Sequence, residues 1–382
     1  MSKHHHKGGL PWIFNPYEIA FSAYSNSGKT TLICKLIELF KDDYRIAYAK
    51  SDAHKFEMDK EGKDTADASA AGASAVVINN ADSRARLEQS PSDEVWRSLD
   101  LLEYDFVFIE GYKNETRTPR ILILDDKMLP ELEERDLTNV IAFVGPNDSR
   151  PSETQSERTS IIPYFQRDDL DSLKTLILAQ FQAKKPVLKG LVLTGGFSRR
   201  MGQDKSAINY HGTSQARHAY DLLSKSCDEV YLSVRDDQQS LPDDCEGLPR
   251  LNDQIQNCGP ASGIISALQK DRKAAWMVMG CDLPLVNQEA IETLCEQRNE
   301  HKYASTFISA SDGMPEPLLS IYEPKSLARF FQYLAMNRNC PRKILLNSPV
   351  ELISQGENNW LDNINTPEDF DRINNILTKA KR

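Results

Sequence analysis

Short, nearly continuous apolar runs alternate along this chain with stretches of helical spacing. Residues 18–24 (EIAFSAY) read as a first strand, and beyond the polar SNSGK the apolar positions of TTLICKLIELF recur as on the buried face of a helix. Residues 105–113 (DFVFIEGYK) and 139–145 (NVIAFVG) predict further strands, and 168–182 a closing helix. The rhythm then pauses at 183–189 (AKKPVLK), a short basic linker whose Pro186 stops the helix. It restarts with a strand at 191–194, a helix at 214–225, a strand at 229–234, a helix at 261–269 and a strand at 276–285 (WMVMGCDLPL). Runs this apolar suit strands covered on both faces, so the second half predicts a mainly parallel, doubly wound sheet. Residues 304–309 and 316–322 read as strands of a flap or edge. The expected organisation is α/β: a flexible head at 1–16, one domain at 17–185 and another at 186–382, each of three layers.

Two loops change this outline into chemistry. In the first half, Ser27, Gly28, Lys29, Thr30 and Thr31 stand between a strand and a helix and match the back of a phosphate loop. There the backbone N–H groups and Lys29 would hold β/γ-phosphates while the Thr30 hydroxyl reaches Mg²⁺. The front of the motif departs from pattern, with Ala23 at the place of the first glycine. Glu110, ending a strand, is a candidate Mg²⁺-water or switch residue. Asp148, in the polar exit of 139–145, is a candidate for recognising a nucleotide base, and His54 and Asp59 lie in a polar segment that is equally well a solvated loop.

In the second half, Leu193 and Thr194 lead into Gly195 and Gly196, whose freedom at positive φ lets backbone amides approach a phosphate chain. Arg199, Arg200 and Lys205 add charge. Asp282 falls at the carboxyl end of a buried strand, where ligands sit in open α/β sheets, and a carboxylate there is a natural Mg²⁺ ligand. NCGPASG (257–263), with Gly259, is a second glycine-bearing loop opening into a helix. Glu316, in a Pro-Glu-Pro context, is either a pocket residue or a structural turn.

Composition narrows the field. A formal charge of −10 argues against a general nucleic-acid or membrane surface, so phosphate binding must come from local loops. Seven cysteines without a CxxC pair fit a reducing cytoplasm and supply neither a zinc nor a disulfide framework, Cys281 being a small core residue of its strand. No membrane span is expected, since no stretch of about 18 apolar residues occurs; residues 1–12 lack the apolar run expected of a signal peptide, and the histidine triplet 4–6 is expected to belong to the head.

The ordered series LTGGFSRRMGQDK, DQIQNCGPASG, MGCDLPL and DNINTPEDF resembles the molybdenum cofactor guanylyltransferases (MobA). The first half, through its loop and the segments KSDAHKFEMDKEGKDT, AAGASAVVIN and DFVFIEGYK, resembles the molybdopterin-guanine dinucleotide biosynthesis adaptors (MobB), GTP-binding P-loop proteins that also tend to carry alanine at the place of Ala23. The resemblance implies a P-loop NTPase-like domain fused to a Rossmann-like nucleotidyltransferase domain. It further implies transfer of GMP from GTP to molybdopterin with Mg²⁺, Lys205, Arg199 and Asp282 being catalytic. Asp253 would lie near the nucleotide, and Asn365, with Asn363 as second choice, would complete the metal site. GTP and molybdopterin would be the ligands and molybdoenzymes or their chaperones the partners, with an oligomer left open. Where MobB proteins often carry a Lys-His-x-x-His segment, this chain has Lys50, Ser51, Asp52, Ala53 and His54, a departure that leaves one histidine of the pattern absent. Two alternatives stay open: a cytidylyl- or sugar-phosphate nucleotidyltransferase, and a non-catalytic GTP-binding cofactor carrier.

Overall fold

The computed structural model describes residues 17–24, 26–50, 62–88, 99–111, 118–146, 157–194, 197–198, 203–235, 241–310, 312–363 and 367–380. They fall into two compact units, Tyr17–Gln180 and one beginning at Phe181.

The first unit is built on a parallel sheet. Its strands are β1 (Glu18–Ser22), β2 (Ile46–Lys50), β5 (Phe106–Glu110), β6 (Arg120–Ile123), β7 (Val140–Gly145) and β8 (Tyr164–Gln166), in the order β2-β5-β1-β6-β7-β8. A separate antiparallel hairpin pairs β3 (Ala75–Asn79) with β4 (Arg84–Glu88). β1 and β5 are buried along nearly their whole length, which is why neither alternates apolar with polar. Helix α1 (Lys29–Phe40) buries Leu32, Ile33, Leu36 and Phe40, an i, i+4, i+8 stripe with one neighbour. Phe40 meets Phe106 edge-on with ring centroids 5.2 Å apart, and Phe21 meets Phe108 at 5.3 Å. The unit is closed by helix α2 (Asp64–Ala70) at the hairpin and by α3 (Leu170–Gln182), whose Lys174 lies over the Phe40 ring. The closing helix stops at Gln182, short of Pro186.

The second unit carries seven strands: β9 (Leu188–Leu193), β12 (Val230–Val234), β13 (Arg250–Asn252), β14 (Ala275–Gly280), β15 (Ala304–Ile308), β16 (Pro315–Tyr322) and β17 (Val350–Ser354). A short pair, β10 (Phe197–Ser198) and β11 (Gln203–Asp204), stands apart from that sheet. The main order is β13-β12-β9-β14-β16-β15-β17, all parallel except β16, which runs against both neighbours. Along β14 the side chains alternate between two cores. Ala275, Met277 and Met279 pack with helices α4 (Gln215–Leu223) and α6 (Gln288–Glu296). Trp276 and Val278 pack with α5 (Pro260–Lys270), α7 (Ser326–Ala335) and α8 (Pro341–Leu346). The result is helix, sheet, helix, and a fully buried central strand. The last helix, α9, is Pro367–Ala380.

Three expectations are corrected. β15 and β16 are interior strands, since β17 pairs with β15 and supplies the edge; a strand of one chain segment cannot reveal that a later segment will cover it. Lys189 belongs to β9, where it pairs with Glu229 at 3.1 Å and Asp271 at 3.0 Å, so the linker is shorter than its basic composition implies. The strand expected through Leu285 ends at Gly280, leaving Cys281 and Asp282 in a turn just beyond, as suits a segment with Pro284.

Candidate functional site

In the first unit the loop after β1 reaches α1 through Gly28, at φ +82°, a left-handed conformation that favours glycine. β1 pairs with β5 so that Phe21 lies opposite Glu110, which brings that carboxylate alongside the loop. Thr30, in the first turn of α1, donates its hydroxyl to Glu110 Oε2 at 2.9 Å. Tyr48 of β2 donates to the same oxygen at 2.7 Å, and Lys50 Nζ stands 3.6 Å from Oε1. Burial, then the bond to Glu110, pushes the Tyr48 hydroxyl well above its ordinary pKa. Lys29 folds back on the loop, donating to the carbonyls of Tyr24 at 2.8 Å and Ala23 at 3.3 Å. Ser27 is buried with its hydroxyl unbonded, and Thr31 is exposed. Tyr48 escaped the sequence reading, and Lys50 entered it only as the first residue of the segment compared with Lys-His-x-x-His, because only strand pairing puts β2 beside β5.

In the second unit β9 and β14 run in register with Leu193 opposite Gly280, so Thr194 and the turn carrying Asp282 emerge side by side. Lys205 Nζ stands 3.9 Å from Asp282 Oδ2, and Asn363 Nδ2 donates to that same oxygen at 3.1 Å. Among the described residues, neither Asp282 Oδ1 nor Asn363 Oδ1, both buried, has a hydrogen-bond partner. Nearby, Glu316 Oε1 accepts from the Leu318 N–H at 3.0 Å, and Oε2 accepts from Arg342 at 2.9 Å. Burial, the larger influence, raises the Glu316 acid above its usual range.

On the other side of β9, Thr194 donates to the Ser233 carbonyl at 2.5 Å, and the Ser233 hydroxyl donates to Asp253 at 2.7 Å. Gly263 makes room for that serine: a Cβ there would lie 2.5 Å from Ser233 Oγ and 2.6 Å from Leu193 Cδ2. Gly259 caps α5 at φ 56° and Asn257 is also at positive φ, which turns the loop sharply into Pro260. Ser233 carried no signal in the sequence, since serine in a strand is common, and Gly263 entered the reading only as the last residue of the NCGPASG loop. Gly195, Gly196, Arg199, Arg200 and Asn365, with Asp148, His54 and Asp59, lie outside the described residues. Among the described residues no three His, Cys, Asp or Glu side chains form a metal cluster, and no helix is long and apolar enough to cross a membrane.

A strand–loop–helix on a parallel sheet and a lysine–aspartate–asparagine cluster beyond a second sheet define a two-domain α/β protein with two sites whose chemistry suits phosphate. Residues 19–146 match the family described as molybdopterin guanine dinucleotide synthesis protein B, and residues 190–350 the MobA-like NTP transferase domain. The two matches divide the chain into a MobB-like part followed by a MobA-like NTP transferase part. It is similar, at 42% identity over 49% of its length, to a molybdenum cofactor biosynthesis bifunctional protein of Synechocystis, spanning 54%, about half, of that relative. A probable molybdenum cofactor guanylyltransferase of Bacillus cereus is 25% identical over 47% of this chain and 92% of its own. Among solved structures, molybdopterin-guanine dinucleotide biosynthesis protein A of Archaeoglobus fulgidus matches at 23% identity and TM-score 0.42, covering 50% of this chain and 99% of that one.

Proposed function

We propose that the second unit transfers GMP from GTP to molybdopterin, releasing pyrophosphate and molybdopterin-guanine dinucleotide, and that the first unit is a fused GTP-binding adaptor, both acting in a reducing cytoplasm. The observation that carries this is the Lys205–Asp282–Asn363 cluster at the carboxyl end of β9 and β14. Mg²⁺ fits the cluster, because Asp282 Oδ1 and Asn363 Oδ1 are buried oxygens without partners among the described residues and oxygen donors are what this cation takes. Asp282 would hold it with Asn363, or with Asn365 as the family resemblance suggests. Bound there, the ion would supply neutralisation of phosphate charge.

The protein's own part is alignment and charge. A phosphate acceptor is already anionic near neutral pH, so no general base is needed; the barrier lies in bringing two anions together for in-line attack on the α-phosphorus. Lys205, held beside Asp282, would offset the charge that builds on the triphosphate. Gly195, Gly196 and Arg199 would cradle that chain, with Leu193 and Thr194 leading into the loop. Asp253, steadied by Ser233, would face the nucleotide together with Gly259. In the first unit Ser27 to Thr31 would hold a second GTP, whose Mg²⁺ would sit at Thr30 and Glu110.

Incubation of the full chain with Mg²⁺, molybdopterin and each labelled nucleoside triphosphate tests the proposal. The dinucleotide and pyrophosphate are expected with GTP alone. Turnover of CTP in its place would reassign the nucleotide, and binding of GTP without product would leave a carrier.

A further inference from the structure

The first unit holds a cation against its phosphate loop that the motif does not include. Arg167 follows β8, well beyond the loop in sequence, yet its Nη1 lies 3.2 Å from where a Cβ on Gly28 would be. Its Nη2 donates to the carbonyl of Leu124, just past the end of β6, at 3.3 Å. The guanidinium thus reaches from the carboxyl end of β6 to the residue before Lys29.

The segment bearing it is pinned on both sides. The Arg167 N–H donates to the Gly145 carbonyl at 3.1 Å. Asp168 pairs with Lys35 of α1 at 2.7 Å, and Asp169 accepts from the Ser172 N–H at the start of α3 at 3.3 Å. Asp168, the carboxylate beside it in sequence, is therefore engaged elsewhere, and among the described residues Arg167 forms no ion pair. Its Nε is buried and, among the described residues, has no hydrogen-bond partner. A half-buried guanidinium with an unsatisfied donor and no counter-anion is costly, and a ligand phosphate would relieve that cost. The planar fork suits phosphate oxygens, and Gly28 opens the helix whose N–H groups would face the same anion.

We propose that Arg167 is a second side-chain cation of this nucleotide site, contacting the phosphate chain alongside Lys29. The proposal rests on the assignment of the Gly28–Thr31 segment to a phosphate loop. Its test follows amide hydrogen exchange in peptides from residues 17–40 of the full chain as GTP or GDP is titrated, which isolates this site from the one in the second unit. Arg167→Ala should weaken apparent affinity for both nucleotides by about tenfold or more, as for other charge-assisted phosphate contacts. Arg167→Lys should fall between, and the melting temperature without nucleotide should not move. Parent affinity in Arg167→Ala would overturn the proposal. So would a loss of affinity matched by an equal fall in unliganded melting temperature in both variants, which would mark a structural role. Lys29→Ala separates the two levels: if it too leaves binding unchanged, the phosphate loop itself is misassigned, whereas if it abolishes binding while Arg167→Ala does not, only the role of Arg167 fails.

Discussion

At the scale of single residues, charge placed where charge develops has the largest expected effect. Lys205→Ala should lower the rate of nucleotidyl transfer by on the order of 10²-fold or more, as removal of other transition-state stabilisers does; a parent rate in the purified variant would withdraw its role. Asp282→Asn should raise the Mg²⁺ concentration needed for half-maximal turnover while leaving the melting temperature near the parent's. An unchanged Mg²⁺ titration would remove Asp282 from the metal site. Away from the cluster, the His211 and His218 rings stack with centroids 3.7 Å apart, and His211 bonds the Pro284 carbonyl at 2.9 Å. Burial, then the positive charge of His211, pushes His218 down to about 4 from 6.5. Between those values the unfolded chain binds more protons, so stability is full above 6.5 and falls as pH drops towards 4. His218→Gln should flatten the fall of melting temperature over that window, and an unaltered slope would exclude the group as its source. Lys205 and Asp282 were legible because the chemistry of phosphate demands their types after such strands. Ser233, Tyr48 and Arg167 were not, because each acts through a neighbour that only folding brings near.

At the scale of elements, packing decides. Arg298 and Glu323 form a buried, two-pronged pair at 2.7 and 3.0 Å, and Arg298 also donates to the Pro186 carbonyl at 3.0 Å, so the segment entering β9 is tied to the loop after α6. Burial raises the Glu323 acid above its ordinary range, with Arg298 opposing. Arg298→Ala would leave that carboxylate unpaired in the interior and should cost about 3–5 kcal/mol, measurable by denaturant unfolding. A loss below ~1 kcal/mol, the range of an exposed pair, would contradict the burial. The strands themselves were readable as apolar runs. The reversal of β16 and the covering of β15 by β17 were not, since a run buried on both faces looks alike in either direction.

At the scale of the whole molecule, two units with separate cores should unfold in separable steps. Saturating GTP at about 100 times its dissociation constant should stabilise a unit that binds it by ~2.7 kcal/mol. Scanning calorimetry is expected to show that both transitions rise with Mg²⁺ and GTP, and that Lys29→Ala cancels the rise in one alone. Loss of both shifts in Lys29→Ala would deny the units independent sites.

The sequence by itself determined which kinds of residue follow which strands: a glycine and lysine after β1, paired glycines and basic residues after β9, an aspartate after β14. Local order is enough for that, because strand, turn and helix are written in consecutive positions. Tertiary structure alone decided who meets whom. Register set Glu110 beside Thr30 and Asp282 beside Thr194, and a segment far along the chain brought Asn363 to Asp282. Contacts of that kind depend on how strands pair and which faces are covered, and no run of neighbouring residues encodes them.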